Sequence, residues 1–488
     1  TVDGTVTMHT GSTFQSDIDG VGIGTGGGNY SRLLVIGQDH TFVAAGTLQP
    51  LLRGITGNAS NAFTPSLGET FRIVTAEGGI KGRFDQLAQP AAGLAANTRL
   101  QAFYDVLGSH SIDLRVTPTS YAVFAKGSNG NAQQAGTALD GVIAVQDSGA
   151  AASRQSELLY AVAGLAESQI APTLKALSGE VHVDLIAAVH GRDLALQEEV
   201  ADHLASDRVA GSDVSHGNRV WVNLSQGGRR EVSDSQGSGF NSSGSAITLG
   251  ADLFRSSNAW LGLGASHAES HMIAANGSGG INGDSVFVYG EQALGRVLLD
   301  GVAASSSDRW TTRRADPLGF AATLGSQTNG HDLTASLGLR MPFELTGSVI
   351  EPFARATWQR VRRDAFTETG ESASALTSAD YAQSGTRFLT GITGGSRSQD
   401  PFATSVTYRV GAALGVDQGG LAAPQLNVAL GGQTMAIRTP NAGRGFVQFN
   451  ANGTLLLDRH VYLYGGLTSE VGQRRSDYAV TAGLRVAL

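Results

Sequence analysis

In the stretch SVTYRVGAALGV, residues 405–416, apolar residues alternate without a break with small or polar ones. Val406, Tyr408, Val410, Ala412, Leu414 and Val416 share one side of an extended chain, while Thr407, Arg409, Gly411 and Gly415 lie on the other. Successive side chains of a strand point to opposite faces, so the two faces of this strand meet different solvents. The split recurs in DLTASLGLRMPF (332–343) and YAVTAGLRVAL (478–488), and Arg340, Arg409 and Arg485 all fall on the small, polar side. A soluble sandwich alternates too, but these windows run to ~10 residues or more, and such length matches the outward-apolar, inward-polar strands of a transmembrane β-barrel. No window approaches the ~18 consecutive apolar residues of a spanning helix.

Thirteen such windows lie between 220 and 488, and a bacterial barrel needs an even number. Short connections fall at 258, 294–295, 345–347, 399–403 and 458–459, and long ones at 234–243, 274–282, 313–329 and 367–384. Short periplasmic turns alternate with longer extracellular loops in these barrels. The alternation reaches the C-terminus if 419–442 is one extracellular excursion, with PQLNVALGGQTMAI as a loop hairpin. Twelve wall strands then remain, although the connection at 472–474 is shorter than the rule expects.

Upstream, residues 1–126 are strand-like and rich in Gly, Thr and Ser, which suits a β-sandwich or the end of a β-solenoid without a clean numerical repeat. Residues 127–216 change character to Ala, Leu, Glu and Gln, good helix formers, with Pro172 expected to divide them into two helical pieces. The second piece, Leu174–Leu204, carries His182, Asp184, His190 and Asp193 around much of its girth and calls for a polar enclosure. A twelve-stranded barrel is too wide for side chains alone to fill, and a helix ~10–12 Å across fits its lumen. The helix is therefore expected inside the pore.

Three passages, in order, resemble the translocator end of a monomeric (type V) autotransporter of Gram-negative bacteria. GETFRIVTAEGGIKGRFDQL through DLRVTPTSYA (68–122) is similar to the autochaperone junction that ends a passenger β-helix, and LSGEVH (Leu177, Ser178, Gly179, Glu180 onward) is similar to the motif that opens the pore helix. The C-terminal TAGLRVAL resembles the signal read by the barrel-assembly machinery, at Thr481, Gly483, Val486 and Leu488, although members of the family usually end in an aromatic residue. The resemblance implies an outer-membrane β-barrel at 217–488 with a pore helix near 174–204, and the end of a β-helix over 1–126. It further implies periplasmic chaperones and assembly machinery as partners, and a chain that carries its own N-terminal passenger to the cell surface. One chain supplies enough strands for a monomer. Two alternatives are a surface adhesin built from 1–126 and the long loops, and a diffusion porin with a periplasmic N-terminal domain.

Composition excludes other classes. A net charge of −8 and pI near 5.8 give no basic stripe for nucleic acid, and zero cysteines remove disulfides, thiol catalysis and Cys-ligated zinc. The sequence does not open on a basic patch followed by an apolar core, so the expectation is a removed signal peptide or a start inside a longer protein. The glycine run GVGIGTGGGNYS (20–31) lacks the following helix of a phosphate loop. Neither G-x-S-x-G nor H-E-x-x-H occurs, and His267 and His271 share a strand face without a third ligand, so no enzyme, metal or cofactor is expected. From Gly141 to Gly217 there is no Asn to cut the chain by cyclisation, and Asp184 or Asp193 could substitute only by a less usual route. The inward arginines have the right sign to pair with Asp184, Asp193, Glu198 or Glu199 of the helix.

Overall fold

The computed structural model describes residues 1–24, 26–209, 219–256, 258–396, 405–458 and 460–487. Twelve antiparallel strands form a closed wall: β1 (Arg219–Glu231), β2 (Phe240–Arg255), β3 (Ala259–Ala274), β4 (Gly277–Leu294), β5 (Val297–Ala315), β6 (Thr323–Arg340), β7 (Ser348–Arg363), β8 (Tyr381–Ser396), β9 (Ser405–Gly419), β10 (Gly445–Asp458), β11 (Val461–Gly472) and β12 (Arg475–Ala487). Each strand pairs with the next, and β1 pairs with β12 to close the ring. No helix among the described residues is long and apolar enough to cross a membrane. Closure satisfies every strand edge, which a lipid-embedded sheet requires.

The alternation places apolar residues outside. Val406 is 71% exposed and Leu414 64%, whereas Arg409 between them is 6% exposed. That is the reverse of a soluble protein and defines an outward lipid-facing belt. Wall strands run from 12 to 19 residues. A spanning strand needs ~9–11, so several project beyond the bilayer.

Five glycines of the wall are explained by register. Inward aromatic rings lie across a directly opposite glycine on the next strand: Trp221 over Gly250, Tyr289 over Gly262, Phe287 over Gly264, Phe446 over Gly415 and Tyr464 over Gly483. A Cβ at any of these glycines would sit 2.1–2.3 Å from the ring it faces. The ring fills the space that a second side chain would need and covers the bare backbone.

Gln425–Leu430 and Gln433–Arg438 form a hairpin outside the wall, in one sheet with Phe366–Thr367 and Leu376–Ser378. The excursion at 419–442 is thus a loop hairpin. One expectation from loop length fails: the connection placed at 274–282 is the two-residue turn 275–276, because Gly277–Ile281 extends β4. The turn at 473–474 is equally short. Connection length does not mark the side at these two points; at 275–276 the flanking strands, of 16 and 18 residues, outrun the ~9–11 of a span.

Residues 2–87 build three parallel three-stranded sheets, the three faces of a β-helix. Val2 pairs with Val35 and the strand of Val35 with that of Ala76, so successive rungs are 33 and 41 residues apart there. The second rung is longer because residues 52–66 loop out after Thr47–Leu51. Inside, Phe14, Phe42 and Phe84 pack with ring centroids 5.8–6.1 Å apart. The hairpin of Thr98–Tyr104 and Ser111–Pro118 adds antiparallel to Thr70–Ala76 and caps that sheet.

Next to the glycine run at 20–31, the loop at 52–66 folds over one of the chain's own carboxylates. Asp19 accepts from the backbone N–H groups of Ser60 (2.6 Å), Asn61 (2.6 Å) and Gly28 (3.3 Å) and from the Ser60 hydroxyl (2.8 Å). The Ser60 N–H is the main cause holding its carboxyl below the ordinary value, against burial, which acts the other way. A depressed folded pKa stabilises above the unfolded value and is lost as pH falls through the folded one, so this contribution persists down to about pH 4 and disappears below it. Limited proteolysis of the full chain within 52–66 should therefore stay slow at neutral pH and accelerate in acid, whereas Asp19→Ala should be cut quickly at both.

Helices α1 (Tyr121–Phe124), α2 (Gly130–Asp147), α3 (Ser153–Ala163), α4 (Glu167–Leu177) and α5 (Val181–Val209) connect the two parts. The expected division at Pro172 does not occur. Proline lies inside α4, and the breaks fall instead at Gly149, Gly164 and Gly179. Likewise Leu174–Leu204 is not one helix: it is interrupted at Ser178–Glu180, where Gly179 adopts φ +68°. A Cβ there would lie 2.3 Å from Leu376 Cδ1. α2, α3, α4 and the loop hairpin share one apolar core with Phe103, Tyr121 and the top of α5, and so cover the mouth of the barrel.

Candidate functional site

The site is the lumen and the helix within it. α5 packs mainly on β3, β4 and β5. His182, Asp184, His190, Asp193, Gln197 and His203 are all at most 3% exposed, so its polar girth is enclosed by the wall. A cavity of ≈ 200 Å³ remains beside it, lined by Ser225, Ser245, Tyr464, Thr468 and Thr481 of the wall.

The helix is fastened at three levels. At the top, Glu180 Oε1 accepts from the side-chain amides of Asn129 and Asn131 (2.9 Å), and Oε2 from the Ser238 N–H (3.0 Å). Asn131 in turn exchanges hydrogen bonds with the Arg438 backbone (2.8 and 2.9 Å), so one carboxylate ties α5 to the start of α2, the β1–β2 connection and the loop hairpin. Leu177 ends α4 in the apolar core, and the Ser178 hydroxyl donates to the Lys175 carbonyl (2.7 Å). A hydrogen bond to a charged group is worth about 1.5–3 kcal/mol, and Glu180→Ala strands three buried donors. We expect a fall of several kcal/mol in stability toward urea, with Glu180→Gln losing less.

One turn below, His182 Nε2 donates to Glu368 Oε1 (2.8 Å) and its ring stacks on Phe366 at 4.4 Å. Arg314 grips the same Glu368 through two bonds, 2.7 and 2.6 Å, and reaches the carbonyls of Ala176 and Ser374. Asp184 is fully buried, and neither of its oxygens accepts a hydrogen bond among the described residues.

At mid-lumen the charges run opposite to a basic wall around an acidic helix. Arg192 of the helix bonds Asp308 of β5 (2.6 and 2.9 Å), Asp332 of β6 (3.0 Å) and its neighbour Asp193 (2.6 Å). Gln359 of β7 links His190 (2.7 Å) to Asp193 (2.6 Å).

Arg340 pairs with Asp300 (2.9 Å) and Glu351 (3.5 Å) of the wall and donates to the Ala201 carbonyl of the helix (3.0 Å). Arg409 reaches Asp202, and Glu198 pairs with Arg355 (3.4 Å). Wall and helix both carry both signs.

At the lower end Arg485 donates to His203 Nδ1 (2.8 Å). Arginine can only donate, so His203 carries its proton on Nε2 and gives it to Asp252 (3.2 Å). Tyr289 also donates to Asp252 (2.6 Å) and receives from Trp221 Nε1 (2.8 Å), whose indole stacks on the imidazole at 4.5 Å. None of His203, Asp252 or Tyr289 stood out in the sequence, because only the register brings them together.

Thr481, Gly483 and Val486 lie on β12, with Gly483 beneath the Tyr464 ring, and Leu488 lies outside the described residues. His267 is on the outward face of β3, paired with Asp284 at 2.8 Å, and His271 shares that face.

The model of the autotransporter beta-domain family matches residues 220–468. Among curated proteins none matches the chain. Among solved structures, the translocator domain of the autotransporter NalP from Neisseria meningitidis is similar with a TM-score of 0.51 at 14% identity, covering 64% of this chain and 100% of that one. The beta domain of the Bordetella autotransporter BrkA has a TM-score of 0.43 at 18% identity, covering 56% of this chain and 100% of that one. The transport unit of AIDA-I from Escherichia coli has a TM-score of 0.40 at 14% identity, covering 57% and 92%. With a closed wall of twelve strands, a helix through its lumen and a family match over half its length, the chain belongs to the autotransporters, as an outer-membrane translocator barrel.

Proposed function

We propose a division of labour along the chain. Residues 1–126 are the end of the secreted passenger, 127–216 the connector that crosses the pore, and 217–488 the device that inserts in the outer membrane and lets the passenger through. The observation that carries this is the fastening of α5 within the lumen at Glu180, Arg192 and His203, which leaves the N-terminal part on the side of the long loops. Leu177–Glu180, His182, Asp184, His190 and Asp193 act as the stopper that settles in the pore once transport ends.

The barrel performs no catalysis in this reading. It works as a monomer, is escorted by periplasmic chaperones, and is inserted by the barrel-assembly machinery through Thr481, Gly483, Val486 and Leu488. The passenger stays attached or is released by another protease.

Planar-bilayer recording tests the stopper. The full chain should conduct weakly, through the space beside α5, and deletion of Leu174–Leu204 should raise conductance several-fold. Full-chain conductance equal to that of the deletion would favour a diffusion porin.

A further inference from the structure

The outward face of the wall changes character part-way up. Across β3–β7, register partners Ala265, Val286, Ser305, Leu333 and Arg360 form one row, and His267, Asp284, Ser307, His331 and Arg362 the next. Below these rows the outward residues are apolar, among them Leu261, Leu263, Val288, Leu337 and Trp358. Above them they are mostly polar, including Arg309, Thr311 and Arg313 on β5 and Gln327 and Asn329 on β6, with Ile273 near the top of β3 an apolar exception. The change of face marks the edge of the hydrocarbon on the side of the long loops, the extracellular side.

At that edge the β5–β7 sector is cationic. Arg309, Arg313 and Arg362 are exposed and Arg360 is partly so, above Trp358 on the same strand. None of the four side chains makes a hydrogen bond or ion pair among the described residues. Their inward neighbours behave differently: Arg314 is bound to Glu368, and Arg363 lies over the Phe366 ring at 4.2 Å. The adjoining β3–β4 sector carries Glu269 and Asp284 and has no such excess.

Four guanidiniums at and above the upper border of a lipid belt form a cationic surface that an anion would complement. Strands lie ~4.8 Å apart, so β5 and β7 are ~10 Å apart across β6; Arg309 stands one outward position above the Ser307–His331–Arg362 row, so the long stems of Arg309, Arg360 and Arg362 can reach along the belt toward one headgroup, and Arg313 extends the cationic face about 13 Å further up β5. The guanidinium fork matches phosphate oxygens two at a time.

We propose that Arg309, Arg313, Arg360 and Arg362 bind the phosphates of a phosphorylated glycolipid in the outer leaflet and fix that lipid against β5–β7. Continuity with the lipid-facing belt selects a lipid headgroup over free phosphate. The inference rests on the outer-membrane orientation of the barrel.

The test is native mass spectrometry of the full chain in detergent, offered equal amounts of bisphosphorylated lipid A and its dephosphorylated form. The phosphorylated lipid should be retained at least tenfold over the other, and millimolar inorganic phosphate should not displace it. Replacing all four arginines with serine should erase the preference, whereas four lysines should preserve part of it. Equal binding of the two lipids, unchanged retention by the serine variant or displacement by inorganic phosphate would overturn the site. Surface exposure of a tag ahead of Thr1, measured on the same variants, separates this outcome from failure of the translocator reading, because exposure should persist in all of them.

Discussion

Arg192→Met should lower the stability of the folded barrel by about 3–5 kcal/mol, the usual cost of leaving a buried charge without its partner. The residue faces Asp193, Asp308 and Asp332, whose side chains are 3%, 0% and 0% exposed. Removing the cation leaves three enclosed carboxylates whose burial and mutual repulsion are no longer offset. The check is the urea midpoint in detergent, followed by the heat-dependent shift of folded barrels on gels. Restoring part of the loss with Asp308→Asn in the same chain would tie the effect to charge. A loss below about 1 kcal/mol, typical of solvated surface pairs, would mean that water fills this level of the lumen and the network contributes little.

The second large effect belongs to the mouth. Glu368→Leu should destabilise by about 3–5 kcal/mol, because Arg314 is left buried without its anion. It also removes the acceptor of His182 and of the Leu376 N–H, which Glu368 holds at 2.8 Å each. Adding Arg314→Met should recover much of the loss, since replacing a whole buried pair by apolar groups is often close to neutral. The double-mutant cycle reads the coupling directly, and additive single effects would contradict the pairing. The two networks differ in this respect: the mouth is a nearly balanced pair that a double variant can replace, whereas Arg192 answers three acids at once.

These networks could not be read from the sequence. Arg192 and Asp332 are 140 residues apart, and their meeting depends on strand register and on how α5 sits in the lumen. The wall itself was legible, because period-two alternation survives wherever one face meets lipid and the other the lumen, as at Val406–Val416. The loop hairpin at 425–438 was legible through the parity of the connections, although the turns at 275–276 and 473–474 show that length alone does not assign a side.

The β-helix hid its repeat because the loop at 52–66 lengthens the second rung, so no fixed spacing exists to be found. Gly179 was noticed as part of a motif, but its reason appears only with the fold, where a left-handed residue turns α4 into α5 against Leu376. Gly483 is similar. Its lack of a side chain serves the ring of Tyr464 in the finished barrel, a requirement separate from any role in recognition by the assembly machinery.

The central claim is that the N-terminal part is carried through the barrel and α5 then occupies the lumen. An epitope tag fused ahead of Thr1, behind a signal peptide, tests it in unlysed cells. Labelling from outside, lost on deleting Leu174–Leu204 while the barrel still inserts, is the predicted result. A tag reachable only after lysis, with the barrel correctly inserted, would contradict the account.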